Sequence, residues 1–192
     1  VVITAVAHDD LSDGGAAHFN RVIERVREVN PGVLIEVLTP DFQDDDRAID
    51  AVISARPEIF NHNLETVRSL TPEVRSVATY DQSLSVLAKV KKRVPEIYTK
   101  SGLMLGLGET KEELLEAMAD LRSAGCDLLT LGQYLQPTEK HLKIEEFIHP
   151  DQFAAYKRTA EAMGFSYVAS GPLVRSSYHA DDFVPEEFAS RL

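Results

Sequence analysis

Cysteine is nearly absent from this sequence: its 192 residues hold one, Cys126. A single thiol cannot close an internal disulfide. Nor can it supply the several thiolates that an iron–sulfur cluster or a cysteine-rich zinc site requires. A reducing compartment, cytosol or organelle matrix, is the setting expected for such a chain. Positive charge is also scarce. Lys and Arg number 20 against 31 Asp and Glu, for a formal net charge of -11. That balance excludes a protein built to track a nucleic-acid backbone. The densest basic cluster, Lys89, Lys91, Lys92 and Arg93, fits a solvated helix face or a helix end. No apolar run approaches the roughly 18–20 residues of a membrane span. The opening VVITAVA meets His8-Asp9-Asp10 at once, without a basic leader or a small-residue cleavage site, so it does not read as a signal peptide. The histidines are scattered and never adopt His-Glu-x-x-His spacing. Gly106-Leu107-Gly108 matches neither the dinucleotide nor the P-loop fingerprint.

What is present is an alternation of strand and helix. Val1 to Ala7 reads as a buried strand, and a chain that opens on such a strand is expected to be part of a longer one. Phe19, Val22, Ile23, Val26 and Val29 recur at helical spacing and end at Asn30-Pro31-Gly32. Val33–Leu38 is the next strand, residues 45–55 a helix, and Glu58–Asn63 a short strand with a polar end. Pro72 interrupts residues 66–79, which fit a loop with short helical turns. Gln82–Arg93 is helical and Tyr98–Leu105 is a strand. Thr110 and Glu113 have the spacing of a capping box, ahead of an inward stripe of Leu114, Leu115, Met118 and Leu121. Gly125 stops that helix. Asp127–Leu131 is a strand, Pro150–Met163 a helix, and Phe165–Ala169 the last strand. Strands apolar on both faces imply helices on both sides of a parallel sheet. An open doubly wound sheet and part of a barrel both fit. In either, the loops beyond the C-terminal strand ends form the active face.

Polar residues gather at those ends: His8, Asp9, Asp10 and Asp13; Asp41; His62, Asn63 and Glu65; Gly106, Gly108 and Glu109; Gln133 and Tyr134; Ser170. Asn63 and Glu65 lie two apart and suit a ligand ammonium or ribose hydroxyl, or an Asn turn beside a surface Glu. Asp9 and Asp10 suit a helix cap or, with His62, a divalent cation. Lys100 is an ammonium inside an apolar strand and needs a partner. It neutralises a carboxylate of the protein, binds one from a ligand, or forms a Schiff base. The last option makes an aldolase or lyase a rival reading, and a non-catalytic binding or assembly module is another. The tail segment Arg175-Ser176-Ser177-Tyr178-His179-Ala180-Asp181 is flanked by Leu173 and Val174, which favours folding back over the pocket.

Several strings taken together resemble the lipoyl synthases among the radical S-adenosylmethionine (SAM) enzymes. They are VVITAVAHDDLSDGGAAHF at 1–19, IFNHNLETV at 59–67, TKSGLMLGLGET at 99–110, LTLGQYLQP at 129–137 and GPLVRSSYHAD at 171–181. Gly102, Met104, Gly106 and Glu109 also fit the looser Gly-x-Ile-x-Gly-x-x-Glu pattern, with Met in the Ile place. The resemblance implies an α/β fold, a partial (β/α)6 barrel of the radical SAM type over residues 1–170, incomplete on its N-terminal side. A tail, 171–192, would fold over the active face. It implies SAM and two [4Fe–4S] clusters as cofactors, and insertion of two sulfur atoms at C6 and C8 of a protein-bound octanoyl group. Implied partners are an octanoylated lipoyl carrier domain or glycine cleavage H protein, and an electron donor such as flavodoxin or ferredoxin, with no nucleic acid and no membrane. Carried onto matching residues, Ser177 would bind an iron of the auxiliary cluster, with Arg175 and Ser176 shaping that site. Asp10 would lie near the methionyl end of SAM, and Asn63 and Glu65 would hold its polar groups. Gly106 and Glu109 would belong to the wall behind the nucleoside, Gln133, Tyr134 and Leu135 would approach adenine, and Lys100 would be a positive group inside the pocket. The family's two cysteine triplets have no counterpart in these residues, so the chain by itself is expected to be inactive in sulfur insertion.

Overall fold

The structure is a computed structural model that describes residues 1–6, 8, 10–75 and 77–177. Six parallel strands pair in chain order: β1 (Val2–Thr4), β2 (Glu36–Leu38), β3 (Ile59–Asn61), β4 (Tyr98–Leu105), β5 (Leu128–Gln133) and β6 (Tyr167–Gly171). Between them run α1 (Ala16–Val29), a 3-10 turn at Phe42–Asp44, α2 (Asp46–Ser54), α3 (Thr71–Val74), α4 (Tyr80–Arg93), α5 (Lys111–Ser123) and α6 (Pro150–Ala162).

Strand order decides between the two arrangements the sequence left open. A doubly wound sheet reverses its strand order at a switch point, which sends helices to both faces. Here each strand neighbours the next without reversal. Right-handed crossovers in one direction then place every helix on the same face. Burial agrees. Ile35, Val37, Phe60, Leu103, Leu105, Leu129, Leu131 and Val168 alternate along the strands and pack into two helix-side cores. The opposite face carries Glu36, Asn61, Lys100, Gly102, Thr130 and Gly132, so the strands are not apolar on both sides. The sheet is the partial (β/α)6 barrel, with a polar concave interior and helices outside.

Local signals explain the framing elements. The Thr110 hydroxyl accepts from the Glu113 backbone while the Glu113 carboxylate accepts from the Thr110 N–H, completing the capping box of α5. Gly125 adopts a φ of 84° just past α5, where a side chain would be strained. The basic end of α4 braces other elements: Lys89 reaches Asp44 and Asp46, Arg93 reaches Asp46 and Asp50, and Lys91 holds Asp127 at the start of β5. Among the described residues no helix is long and apolar enough to cross a membrane.

Candidate functional site

Two adjoining cavities of about 440 and 250 Å³ open at the C-terminal ends of the strands and share Asn63 and Glu65. The larger runs along the ends of β1–β3 to Arg75. The smaller lies over β4 and β5, between Gly102, Met104, Thr130, Gly132, Leu135 and the tail residues Val174, Arg175 and Ser176.

Asn63 sits where they meet. Its amide donates to Ser176 Oγ at 2.7 Å, and its Oδ1, buried, has no partner. A buried unpaired acceptor costs free energy unless a ligand donor meets it. Gly102 leaves the room: a Cβ there would stand 2.7 Å from Thr130 Oγ1 and 3.0 Å from Asn63 Oδ1. Glu65 holds a positive φ of 72°, its backbone bridging to β4 beside Leu103. Burial pushes its carboxyl above the ordinary value, against the Asn63 amide and the positive field of Arg75.

The tail crosses the strand ends as the sequence predicts, as far as it is described. The Val174 carbonyl packs onto the bare Cα of Gly132. Arg175 donates to the carbonyls of Gln133 and Val174 at 3.3 and 2.7 Å. Ser177 is exposed beside Ser176. Tyr178 to Asp181, the remainder of that motif, lie outside the described residues.

The other predicted residues occupy different places. Asp10 borders a neighbouring cleft with His8, Ser12 and Phe42, away from Asn63. Asp13, beside it, is a capping residue. Its carboxylate accepts from the Ala17 and Gly15 N–H groups, which hold it below the usual range. Gly106 and Glu109 form the turn behind the pocket. The Glu109 carboxylate accepts from the Gly106 and Leu107 N–H groups at 2.7 and 2.9 Å. Gln133 anchors the 136–149 connection through the Glu146 carbonyl and Ile148 N–H, and the buried Tyr134 hydroxyl donates to the Leu142 carbonyl. Gln133 and Leu135 line the smaller cavity.

Lys100 lies deeper, on the concave face. Lys100 is 5% exposed, and its ammonium donates to both carboxylate oxygens of Glu36 at 2.9 and 3.0 Å. Asn61, between them on β3, donates to the same carboxylate at 2.8 Å. Of the partners open to Lys100, the structure supplies the protein's own carboxylate. His62 does not turn toward Asp10. It is buried on the helix side, between the Thr39 carbonyl and Ser83 Oγ, each 3.0 Å away. Among the described residues no group of His, Cys, Asp and Glu is arranged to hold a metal. Cys126 is fully buried and burial pushes its thiol up to about 12. The residues present therefore do not fit an iron–sulfur cluster, whereas the pocket offers a free acceptor and a carboxylate to the donors of a polar ligand.

Sequence reasoning missed Arg75, Ser83 and Thr130. Arg75 falls in the aperiodic stretch between strand and helix. Ser83 and Thr130 are small polar residues in apolar elements, with no local sign of what they face.

A parallel, helix-flanked partial barrel with a polar pocket over its C-terminal strand ends defines the fold class of the radical SAM enzymes. The family model of the radical SAM superfamily matches residues 1–132, and the chain belongs to that superfamily. A domain of pyruvate-formate lyase-activating enzyme from Bacteroides vulgatus shares the fold, with a TM-score of 0.60 at 11% identity over 87% of this chain and 98% of that one. Methylornithine synthase does so with a TM-score of 0.60 at 14% identity, covering 83% of this chain and 54% of that one.

Within the superfamily the chain is homologous to lipoyl synthases over nearly its whole length. It is 56% identical to lipoyl synthase from Caldicellulosiruptor saccharolyticus over 95% of this chain and 64% of that protein. The figures are 55% for Anaeromyxobacter sp. strain Fw109-5, over 100% and 65%, and 57% for Thermus thermophilus, over 94% and 56%. The chain thus spans less than two thirds of these relatives' length.

Proposed function

We propose that this chain is the SAM-binding and tail-bearing part of a lipoyl synthase. The observation that carries the reading is identity of 55–57% with lipoyl synthases across the strands and tail that build the pocket. SAM, when bound and reductively cleaved, supplies the 5′-deoxyadenosyl radical that takes hydrogen from C6 and C8 of a protein-bound octanoyl chain. The thiolates of both [4Fe–4S] clusters have to come from outside these 192 residues, since Cys126 is the only cysteine and is buried.

The chain's own residues bind and orient. Asn63 Oδ1 and the Glu65 carboxylate take hydroxyl or ammonium donors of SAM. The backbone at Gln133–Leu135 receives the base, and Glu109 keeps the Gly106 turn behind it in shape. Asp10 stands at the mouth of the adjoining cleft, toward the methionyl end. Arg175 and Ser176 fasten the tail across the strand ends and so present Ser177 to the auxiliary cluster. Lys100, tied to Glu36, fixes the charge balance of the interior floor. An amine held by both oxygens of a carboxylate is poorly placed to attack a carbonyl, which weighs against a Schiff-base lyase. An octanoylated carrier domain or H protein as substrate, a flavodoxin or ferredoxin as reductant, and a cytoplasmic or organelle-matrix setting complete the reading.

The test is a chimera that places the cysteine-bearing segment of a lipoyl synthase relative ahead of Val1. After anaerobic cluster reconstitution it is expected to convert an octanoyl-lysine peptide to the lipoyl form, with release of 5′-deoxyadenosine. 5′-Deoxyadenosine without sulfur insertion would keep the radical SAM assignment and reject the lipoyl product. Formation of neither by a folded, cluster-loaded chimera would reject both.

A further inference from the structure

Past β6, Pro172 to Ser177 run back across the strand ends, and Val174, Arg175 and Ser176 form one wall of the smaller cavity. The opposite wall is β4 and β5, paired from Lys100 to Leu105 and backed by a helix-side core. The tail is held quite differently. Among the described residues it joins no ladder. Three contacts fasten it. Val174 is buried, with its carbonyl against Gly132. Arg175 donates to the Gln133 carbonyl at 3.3 Å, and Ser176 Oγ accepts from the Asn63 amide at 2.7 Å. Leu173 and Ser177 on either side are exposed. A segment tied at so few points opens at a lower free-energy cost than the strands it lies on.

The Ser176 bond ends on a side chain that also faces the cavity. Asn63 Oδ1 lies beside Gly102, buried and without a partner. The Glu65 carboxylate meets the same amide as a hydrogen-bond donor. A carboxylate accepts and does not donate, so the NH2 group of Asn63 turns toward Glu65 and Ser176 and its oxygen toward the cavity. A ligand donor at Oδ1 and the Ser176 hydroxyl at Nδ2 then engage opposite ends of one conjugated amide. A bond at the oxygen polarises the amide and strengthens the N–H bond at its other end. A ligand in the smaller cavity also packs on Val174 and Arg175, contacts that exist only while the tail is down. Both effects favour one state, pocket filled and tail seated, and by linkage each condition stabilises the other.

We propose that the tail is a strap linked to pocket occupancy: a bound ligand holds it across the strand ends, its release opens the smaller cavity, and the Asn63–Ser176 bond is the link. This rests on the reading above, so the ligand is SAM. Ser176 acts on the ligand through Asn63 and is a positioning residue.

Two measurements on the chain test this: the initial rate of tryptic cleavage after Arg175, followed by mass spectrometry, and calorimetric titration with SAM. Saturating SAM is expected to slow that cleavage by about 5- to 100-fold, the usual range of coupling between two sites. Ser176→Ala should bind SAM several-fold more weakly and lose the protection by the same factor, with an unchanged unfolding midpoint. Ser176→Thr keeps the hydroxyl and should restore both. If SAM binds and the cleavage rate does not change, the strap is overturned while the SAM reading stands. Full affinity and full protection in Ser176→Ala overturn the link through Asn63. A native chain that does not bind SAM overturns both the strap and the SAM reading.

Discussion

A buried lysine in a strand asks for a partner, and that much was legible at Lys100. The partner was not. Glu36 is 64 residues away and two strands over, so only the register of β2, β3 and β4 brings the pair together. Removing one member strands the other's charge, so Lys100→Met or Glu36→Leu should each cost about 3–5 kcal/mol in urea unfolding. The double apolar replacement should recover most of it; additive losses would contradict a paired role. His62 offers a second test. Burial holds its imidazole down to about 4 against an ordinary 6.5, with Thr39 and Asp41 pulling upward and Arg75 adding to the depression. Between those values the unfolded chain takes up a proton that the folded chain refuses. The stabilising effect of the neutral ring is therefore complete above 6.5 and is lost as pH falls toward 4. Glu65, raised by burial, works in the opposite sense above its ordinary 4.5. The informative quantity is thus the difference between the native chain and His62→Asn. Unfolding at pH 7 and pH 4.5 should show the native chain losing up to about 3 kcal/mol more than the variant. Equal slopes would mean that the ring is not buried neutral.

Elements were legible in proportion to how local their signals are. The capping box, the Tyr98–Leu105 strand and the Gly125 stop all stand where the sequence places them. The first strands were read too long: β1 is Val2–Thr4 within the predicted 1–7, and β3 is Ile59–Asn61 within 58–63. Beyond β1 the apolar Ala5 and Val6 lie outside the ladder, and beyond β3 the chain turns polar at His62 and Asn63. The pocket-facing side of the strands was misread because glycines and isolated polar residues look like interruptions until the sheet gives them a common face. The tail depends on one such glycine. A methyl at Gly132 would occupy the position of the Val174 carbonyl. Gly132→Ala should therefore release the tail, seen as faster proteolysis after Gly171, while the helix content by circular dichroism is kept. Unchanged proteolysis would mean that the tail is not seated there. Glu109→Ala, by comparison, should cost about 1–3 kcal/mol by leaving the Gly106 and Leu107 N–H groups unpaired, measured by denaturant midpoint.

At the scale of the whole chain, fold and chemistry separate. Monotonic strand order puts every helix outside and leaves a polar interior, and this required the structure, because helix and strand periodicity are alike in the two α/β arrangements. The cysteine count could be read at once and excludes cluster ligation by these residues alone. What the fold provides is a polar face, proposed above to receive SAM, with Asn63 at the junction of two cavities. The most direct test is a crystal structure of the chain with SAM. The account predicts the nucleoside between Asn63, Glu65 and the Gln133–Leu135 backbone, with the methionyl end along the β1–β3 cavity. SAM bound elsewhere, with Asn63 Oδ1 still unpaired, would contradict it.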